Sequence, residues 1–450
     1  MQTSTQQQTL FSTSEEKGHT FTFIDLFAGI GGFRIALEKA GGACLGFSEI
    51  DKEAIKTYYE NFIPYNSNEI DFGDITKLNF LPNVDVLVGG VPCQSWSVAG
   101  KMKGFEDPRG RLWLDTIRMV ELNKPKAFIF ENVKGLIDPR NKKSLDLIIS
   151  SFENIGYEVQ YKLLNSFDFG LPQNRDRIYI VGLRKDLKKR NSYNFPFLKI
   201  KNQTKLFSFI DGMKPSLQEK SVLTSQELFG DVVPVGRNRF QKDNELNDFF
   251  VFCDTRNGHT TIHSWDIIDT TEREKSICLT LLRNRRKKQY GLQDGNPISL
   301  SELQKLLSGI TREELRQLED KKIIKEVQGK GFDFVNSKNS SGINDIYRVY
   351  LPESDIFSTL TATGTKDMVA TESVYGSSPL EFKKNFIEKI YKQGKYRRIT
   401  AQEASKLQGF PSAFKLHKKE AMAHKQFGNA VSVPVVYNVI ISIIQTGILD

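Results

Sequence analysis

Short apolar runs alternate with amphipathic segments over the first two fifths of the chain. The amphipathic segments 33–41 and 51–62 space their apolar residues as a helix does. The apolar runs predict buried strands at the following positions: 20–27, 43–50, 85–90 and 126–133. Strands that alternate with helices predict an α/β domain with a doubly wound parallel sheet. Such sheets bind ligands at the carboxyl ends of their strands.

The alternation stops near Asp186. From there the chain is richer in Lys, Arg, Asn and Ser, and basic clusters such as RNRRKK (283–288) appear. Well-patterned helices return near the C-terminus, and the last of them is apolar enough to need burial. We therefore expect a domain inserted into another fold. The predicted parts are a flexible N-terminal tail (1–20), a first α/β part (21–185), an inserted domain (186–395) and a C-terminal segment that completes the first part (396–450).

Cysteine content and charge narrow the class of protein. The chain has 4 Cys among 450 residues and no CxxC pair, so neither a zinc site nor a disulfide framework is expected. The polar N-terminus lacks the apolar core of a signal peptide, and no stretch approaches the roughly 20 apolar residues of a membrane span. These features predict a cytoplasmic protein without a metal or a membrane partner. The net charge of +9 favours a polyanionic partner.

The stretch DLFAGIGG (25–32) follows the first predicted strand. Glycines at a turn from strand to helix let a ligand approach the backbone amides. Glu49 ends the second strand, where it could bond a ribose, and Asp74 in GDI could contact the base of a nucleoside. The pattern predicts an adenosine-binding site, although Arg34 stands where GxGxxG needs its third glycine. A tight turn with no ligand is the alternative.

Cys93 follows Pro92 where the run DVLVGG ends. A lone cysteine is usually a packing residue. Its position at a strand end among polar neighbours instead favours a reactive thiol, and Arg109 and Arg111 could help a thiolate to form.

Three further polar positions carry candidate chemistry. Glu131 in ENV closes an apolar strand, and a buried carboxyl with a raised pKa could deliver a proton to a ring nitrogen. Gln173, Arg175 and Arg177 are spaced by two, so on an extended chain they share one face. A solvated surface is one reading. The buried-looking run IYIVG that follows favours a face toward the ligand crevice.

These motifs together resemble the cytosine-C5 DNA methyltransferase family, in particular bacterial type II modification methyltransferases. The blocks occur in the family's order: DLFAGIGGFR, GDI, PCQSWS, ENV, QNRDR, RRITAQEASKLQGFP and QFGNAVSVPV. The resemblance covers 21–185 and 396–450. It implies a Rossmann-like S-adenosylmethionine-dependent methyltransferase domain, with a variable target-recognition domain inserted before the C-terminal segment.

The resemblance implies a role for each matched catalytic residue. The Cys93 thiolate would add to C6 of a flipped cytosine, and C5 would then accept the methyl group. Glu131 would protonate or hydrogen-bond N3 and the exocyclic amine. Arg175 and Arg177 would hold the carbonyl oxygen of the base and order the loop of Cys93. The base that removes the C5 proton is not identified, and water could serve.

The resemblance also implies two sets of binding residues. The S-adenosylmethionine pocket would be formed by Phe27, Gly29, Ile30, Gly31, Glu49, Ile50, Asp74, Ile75, Pro92, Leu112, Asn429 and Ala430. The DNA substrate would be contacted by Gln94, Ser97, Arg109 and Gln173. Ile50 departs from relatives that carry an aromatic residue against the adenine, which we expect to change affinity at most.

The middle region suggests a small DNA-binding element. Two short helices within 299–324, each introduced by a Ser or Thr cap, precede predicted strands near 332–337 and 346–351. This order predicts a winged-helix-like element on DNA, and an insertion that only packs is the alternative. RNRRKK is expected to contact phosphates, so its neutralisation should flatten the salt dependence of DNA binding. STLTATGT (358–365) resembles the Thr-Leu element of the family's recognition region.

We expect a monomer that acts on double-stranded DNA, with a cognate restriction endonuclease as a genetic partner. Two alternatives belong to other classes. An RNA cytosine-C5 methyltransferase shares the fold, but its transfer-RNA-acting members have a much shorter recognition part. A non-catalytic, cofactor-sensing DNA-binding protein should have lost Cys93 or Glu131, and both are present.

Overall fold

The structure is a computed structural model, and the chain forms two compact units. Unit 1 comprises Met1–Thr204, Ile356–Thr365 and Thr400–Asp450, and unit 2 comprises Lys205–Asp355 and Lys366–Ile399. The residues that the structure describes are 20–63, 69–92, 111–196, 205–215, 250–252, 262–293, 295–335, 348–352, 354, 356–364, 367–374 and 379–450. Composition alone assigns 356–365 to the inserted domain, whereas their contacts place them in unit 1.

Within the described residues seven strands form the sheet of unit 1, and the apolar residues of its inner strands are buried. They are β1 (Phe21–Leu26), β2 (Gly42–Ser48), β3 (Ile70–Asp71), β4 (Val86–Gly90), β5 (Ala127–Val133), β6 (Tyr157–Asn165) and β7 (Asp176–Arg184). The strand order is β3-β2-β1-β4-β5-β7-β6. The chain therefore reverses its direction of travel across the sheet between β1 and β4, which is where such folds open a crevice.

One strand departs from the predicted parallel arrangement. The neighbours from β3 to β5 pair in parallel, but β7 runs antiparallel to both β5 and β6. Arg177 near the start of β7 consequently lies opposite Val133 at the end of β5. The reversal brings the loop before β7 to the same edge of the sheet as the carboxyl ends of the other strands.

Four helices lie between the strands of unit 1: α1 (Gly32–Lys39), α2 (Lys52–Phe62), α3 (Leu112–Asn123) and α4 (Lys142–Asn154). The Asp51 side chain caps α2 by accepting from the amides of Glu53 and Ala54. Trp113 of α3 and Phe152 of α4 are fully buried beside Phe128 and Phe130 of β5. These contacts fix β5, and with it Glu131, in the middle of the fold.

Part of unit 2 has the element order of a winged helix. After α5 (Ser264–Ile267) come α6 (Glu272–Asn284), α7 (Leu300–Leu306) and α8 (Arg312–Asp320), then the antiparallel hairpin of β9 (Ile324–Val327) and β10 (Gly331–Phe334). Ser299 caps α7 and Thr311 caps α8, which confirms the two capped helices. Ile298 bridges to Phe332 as a third, one-residue strand.

The predicted strand near 346–351 does not belong to this element. Its described part is β11 (Arg348–Tyr350), which joins β8 (Phe250–Phe252), β12 (Met368–Ala370) and β13 (Tyr396–Arg397) in a separate sheet of order β13-β12-β11-β8. The hairpin uses β9 instead, which follows α8 directly. Helix α9 (Pro379–Phe386) continues into a π-helical turn, Ile387–Tyr391, that packs beside this sheet.

The C-terminal helices complete unit 1. They are α10 (Ala401–Gln408), α11 (Glu420–Asn429) and α12 (Val433–Ile444). The stretch Glu420–Ile444 is long and apolar enough to cross a membrane by composition, but 56% of its most apolar window is buried inside the protein. Residues 430–432 separate α11 from α12. The Lys39 ammonium of α1 lies 4.8 Å from the ring centre of Tyr437 in α12. Helix α12 is therefore a core helix.

Candidate active site

The loop after β1 is shaped by three residues with positive φ. Phe27 has φ 62°, Gly29 has φ 56° and Gly31 has φ 86°. A Cβ on Gly31 would lie 2.3 Å from the ring of Phe62, so this position must remain glycine. A Cβ on Gly29 would meet nothing within 4 Å. The loop is therefore tight against α2 on one side and open on the other.

Glu49 joins the ends of β1 and β2. One carboxylate oxygen accepts the Gly29 amide at 2.8 Å, and the other accepts the amides of Ile50 at 2.7 Å and Asp51 at 2.8 Å. Beside it, the Ile50 side chain is 69% exposed. An exposed apolar side chain beside a glycine loop is suited to the flat face of a ligand ring.

Asp74 follows β3 and begins a short 3₁₀ turn, Ile75–Lys77. Its carboxylate accepts the Thr76 hydroxyl at 2.8 Å and the Thr76 amide at 3.0 Å. These hydrogen bonds hold the pKa of Asp74 below its ordinary value, so the group is an anionic acceptor. The Ile30 and Ile75 side chains are buried in the core, so a ligand would meet these two residues through their main chain.

Glu131 lies beside the end of β4. Its carboxylate oxygen Oε2 is 3.8 Å from the position of a Cβ on Gly90, and the residue is only 7% exposed. Burial raises the pKa of Glu131, while the guanidinium of Arg177, with Nε 2.8 Å from Oε1, opposes that rise. The raised pKa makes the protonated form of Glu131 more accessible than that of an ordinary glutamate, which suits a general acid.

Asn132 is a site residue that the sequence analysis missed. It is fully buried, and its Nδ2 donates to the Val91 carbonyl at 3.2 Å. Val91 is two residues before Cys93, so Asn132 holds the main chain just after β4 and close to Cys93 along the sequence. The signal in the sequence is a second buried polar residue beside Glu131 in an otherwise apolar strand.

Gln173 and Arg175 correct the prediction of a shared face toward the crevice. Gln173 is fully buried, donates to the Leu407 carbonyl at 2.8 Å and accepts the Leu360 amide at 3.2 Å. Arg175 is 1% exposed, and its guanidinium donates to three main-chain carbonyls, those of Leu360, Gly428 and Ala430. The chain before β7 is a loop in which Gln173 pairs with Phe357 as an isolated β-bridge. Gln173 and Arg175 therefore precede the extended strand, and their spacing of two does not put their side chains on one face. Of these three residues, Arg177 is the one whose side chain contacts the Glu131 carboxylate.

The bonds of Arg175 position another site residue. Two of the three carbonyls that Arg175 bonds, those of Gly428 and Ala430, flank Asn429, which is exposed at the end of α11. Gly428 also packs closely on residue 361, since a Cβ there would lie 2.2 Å from the Thr361 carbonyl carbon. Arg175 therefore supports the main chain on both sides of Asn429.

Several predicted residues lie outside the described part of the chain: Cys93, Gln94, Ser97 and Arg109. The described chain stops at Pro92 and resumes at Arg111, which is exposed before the first residue of α3, Leu112. Among the residues that are described, no group of three or more His, Cys, Asp or Glu side chains could hold a metal ion. His263 is buried against Trp265 with ring centres 4.2 Å apart, and burial lowers its pKa to about 4.

The basic cluster RNRRKK also needs one correction. Arg285 is 3% exposed, lies 3.1 Å from the Asp333 carboxylate and stacks on Phe334. It is a structural residue of the winged-helix element and is not presented to a phosphate. Arg283, Arg286, Lys287 and Lys288 are exposed.

Solved structures with the same fold are methyltransferases. The S. pombe Dnmt2 methyltransferase is 14% identical with a TM-score of 0.51, over 94% of this chain and 98% of its own. The Entamoeba histolytica methyltransferase EhMeth is 14% identical with a TM-score of 0.50, over 95% and 98%. With the glycine loop at the topological switch point, this likeness defines a Rossmann-like S-adenosylmethionine-dependent methyltransferase fold.

Sequence comparison identifies the family. The pattern of the C-5 cytosine-specific DNA methylases matches residues 21–445. The type II methyltransferase M.HgiBI of Herpetosiphon aurantiacus is 48% identical over 417 residues, which are 92% of this chain and 95% of that protein. M.BanI of Aneurinibacillus aneurinilyticus is 35% identical over 449 residues, 95% and 96%. The chain belongs to the C-5 cytosine-specific DNA methylase family, and it is a DNA (cytosine-5-)-methyltransferase whose family implies S-adenosylmethionine as the methyl donor.

Proposed function

We propose that the enzyme methylates C5 of a specific cytosine in double-stranded DNA through a transient covalent bond from Cys93 to C6. The observation that carries this proposal is the Glu131 carboxyl of β5, which is buried with a raised pKa beside the end of β4, the strand that leads to Cys93. A carboxyl with a raised pKa can donate a proton or a hydrogen bond to a ring as a nucleophile adds to it, which offsets the charge that develops there.

The chemistry begins with addition and ends with elimination. The Cys93 thiolate forms a bond to C6, the electrons move toward N3, and Glu131 supplies or shares a proton there, which leaves C5 electron-rich. S-adenosylmethionine, when bound, supplies an electrophilic methyl group for C5. A base, for which water suffices, then removes the C5 proton. The electrons re-form the double bond and expel the Cys93 thiolate.

Arg177 and Asn132 hold this site in shape. Arg177 keeps the carboxyl of Glu131 in one orientation through its 2.8 Å contact, and it would meet the carbonyl oxygen of the base. Asn132 fixes Val91 and thus the approach to the cysteine. Gln94, Ser97 and Arg109 remain proposed DNA contacts. The target atoms lie within the base stack of a duplex, so the nucleotide must be flipped out.

The methyl donor fits the edge formed by β1, β2 and β3. The open side of Gly29 admits a ligand against the main chain, and Ile50 offers an exposed apolar surface for an adenine. Asp74 is an anionic acceptor for the amino group of the base. Glu49 would meet the ribose, and Phe27, Ile30, Gly31, Ile75, Pro92, Leu112, Asn429 and Ala430 would complete the pocket. Because Glu49 already fixes two loops, it both builds the pocket and lines it.

We further propose that the enzyme works as a cytoplasmic monomer and as the modification partner of a restriction endonuclease, since M.HgiBI and M.BanI are type II methyltransferases. Labelled S-adenosylmethionine should be incubated with genomic duplex DNA and, separately, with total RNA. Nucleoside mass spectrometry should find 5-methylcytosine in the DNA. Label only in RNA would favour the RNA methyltransferase instead, and N4-methylcytosine would refute the C5 chemistry.

A further inference from the structure

The most exposed large apolar side chain in the described part of the chain is Leu292, at 95%. It lies in a loop of unit 2, residues 286–293, between α6 and Ile298, which we call the basic loop. Three consecutive cations begin this loop, Arg286, Lys287 and Lys288, and all three are exposed. A fully exposed leucine in the same loop as three exposed cations combines an apolar contact with charges suited to a polyanion.

The basic loop is built as a rigid element. Asn296 closes its base: the amide of Asn296 and its Nδ2 both donate to the Arg285 carbonyl, at 2.9 and 3.0 Å. The same Nδ2 donates to the Gln293 carbonyl at 2.9 Å, and Oδ1 accepts the Gln293 amide at 3.3 Å. Gly291 touches Asn296 so closely that a Cβ would lie 2.2 Å from Oδ1. Compact loops with tied ends are frequently functional.

Arg285 anchors the loop to the hairpin. Its ion pair with Asp333 and its stacking on Phe334 are both buried, so the residue that precedes the loop is fixed to β10. A Cβ on Gly295 would lie 2.0 Å from the Arg285 guanidinium, which leaves no room for the loop base to shift. These contacts hold the main chain at the base of the loop before any partner arrives, which lowers the entropic cost of binding.

Helix α8 is less suited to a polyanion than the basic loop. It occupies the position of the third helix of a winged helix, but it carries two arginines and four acidic residues. Arg312, one of the arginines, is bound to Glu326 of the hairpin, and Arg316 lies 3.4 Å from Glu313. The local charge thus favours the basic loop as the surface for DNA.

We propose that the basic loop binds duplex DNA, with Arg286, Lys287 and Lys288 on phosphates and Leu292 inserted as an apolar wedge against the base stack. Apolar side chains flanked by cations unstack a base step while the cations hold the backbone. This inference rests on the proposed function, because a wedge would help to open the stack for the cytosine that is methylated.

Two variants of the full-length enzyme test the loop. In the first, Arg286, Lys287 and Lys288 are each replaced by Gln, and binding to a mixed-sequence 40-base-pair duplex is measured over a range of salt concentrations. The slope of log K against log salt should become shallower by about 2.7 for three lost phosphate contacts. The matched control replaces Lys124, Lys185 and Lys188, exposed cations near the amino ends of the unit 1 strands, and should keep the slope of the wild type. Equal slopes in both variants would overturn the phosphate contacts.

The second variant, Leu292→Ala, is assayed on a duplex that carries the methylated sequence, once this has been mapped by bisulfite sequencing. We expect kcat/KM to fall about tenfold or more on the paired duplex and to recover to within about threefold of wild type when the target cytosine is mispaired, since the stack is then already open. Leu122→Ala, at an exposed leucine of α3, should match wild type on both. An equal loss on both duplexes, or no loss, would overturn the wedge. If the wild type methylates no cytosine in duplex DNA, the proposed function fails, whereas the salt slope still tests the loop.

Discussion

Arg175 and Arg177 are two residues apart, but we expect the replacement of Arg175 to lower cofactor affinity and the replacement of Arg177 to lower the rate of methylation. Arg175 makes four hydrogen bonds of 2.8–3.3 Å to three carbonyls, two of which flank Asn429. Arg175→Lys keeps the charge but loses the fork, so at least one of these buried carbonyls loses its donor, at a cost of about 1–3 kcal/mol. If the cost falls on the turn of Asn429, affinity for S-adenosylmethionine should drop about 5- to 150-fold, because 1.4 kcal/mol is tenfold.

Arg177→Lys is the matched control for that change. It leaves the turn of Asn429 intact, and a lysine can still approach Glu131, so cofactor affinity should stay within about twofold of wild type while kcat falls. Titration calorimetry gives the affinity for S-adenosylmethionine, and single-turnover methylation gives the rate. Equal loss of cofactor affinity in both variants, or normal affinity in Arg175→Lys, would refute the positioning role of Arg175.

Four other substitutions test the site. Glu131→Gln should reduce methylation by about a hundredfold or more. Folding raises the pKa of the Glu131 carboxyl above its ordinary value of 4.5, so its contribution to stability is lost as the pH rises from 4.5 toward the raised value. The unfolding free energy of the wild type relative to Glu131→Gln should therefore decline over that pH window in denaturant titrations. Gly31→Ala should abolish cofactor binding and lower the unfolding free energy, while Gly29→Ala, which meets no atom but keeps a positive φ, should cost only about 1 kcal/mol. Asn132→Asp turns the donor to Val91 into an acceptor, so it should slow turnover at unchanged cofactor affinity, and a parallel loss of that affinity would contradict the assignment.

The sequence predicted those parts of the fold and site that depend on local pattern. The buried strands, the glycine loop after β1, Glu49 at the end of β2 and the Ser and Thr caps of α7 and α8 each follow from neighbouring residues. The structure adds that Glu49 bonds three main-chain amides in two loops.

Contacts between distant residues could not be read from local pattern. The partners of Arg175 lie 185 to 255 residues away along the chain, so nothing near it reveals that it points inward. The antiparallel direction of β7 likewise depends on its pairing with β5 and β6. Arg285 looks like its basic neighbours until Asp333, 48 residues later, is brought beside it. Asn132 became a site residue only when β5 lay next to β4.

Trapping with 5-fluorocytosine tests the central claim most directly, because fluorine at C5 cannot leave as a proton does and the covalent intermediate accumulates. A duplex with 5-fluorocytosine at the methylated position should be incubated with the enzyme and S-adenosylmethionine, then digested and analysed by mass spectrometry. The account predicts a nucleotide bonded to the peptide that contains Cys93, normal trapping by Cys278→Ala, whose cysteine is buried in unit 2, and none by Cys93→Ala. An adduct on another residue, or full methylation of ordinary DNA by Cys93→Ala, would contradict it.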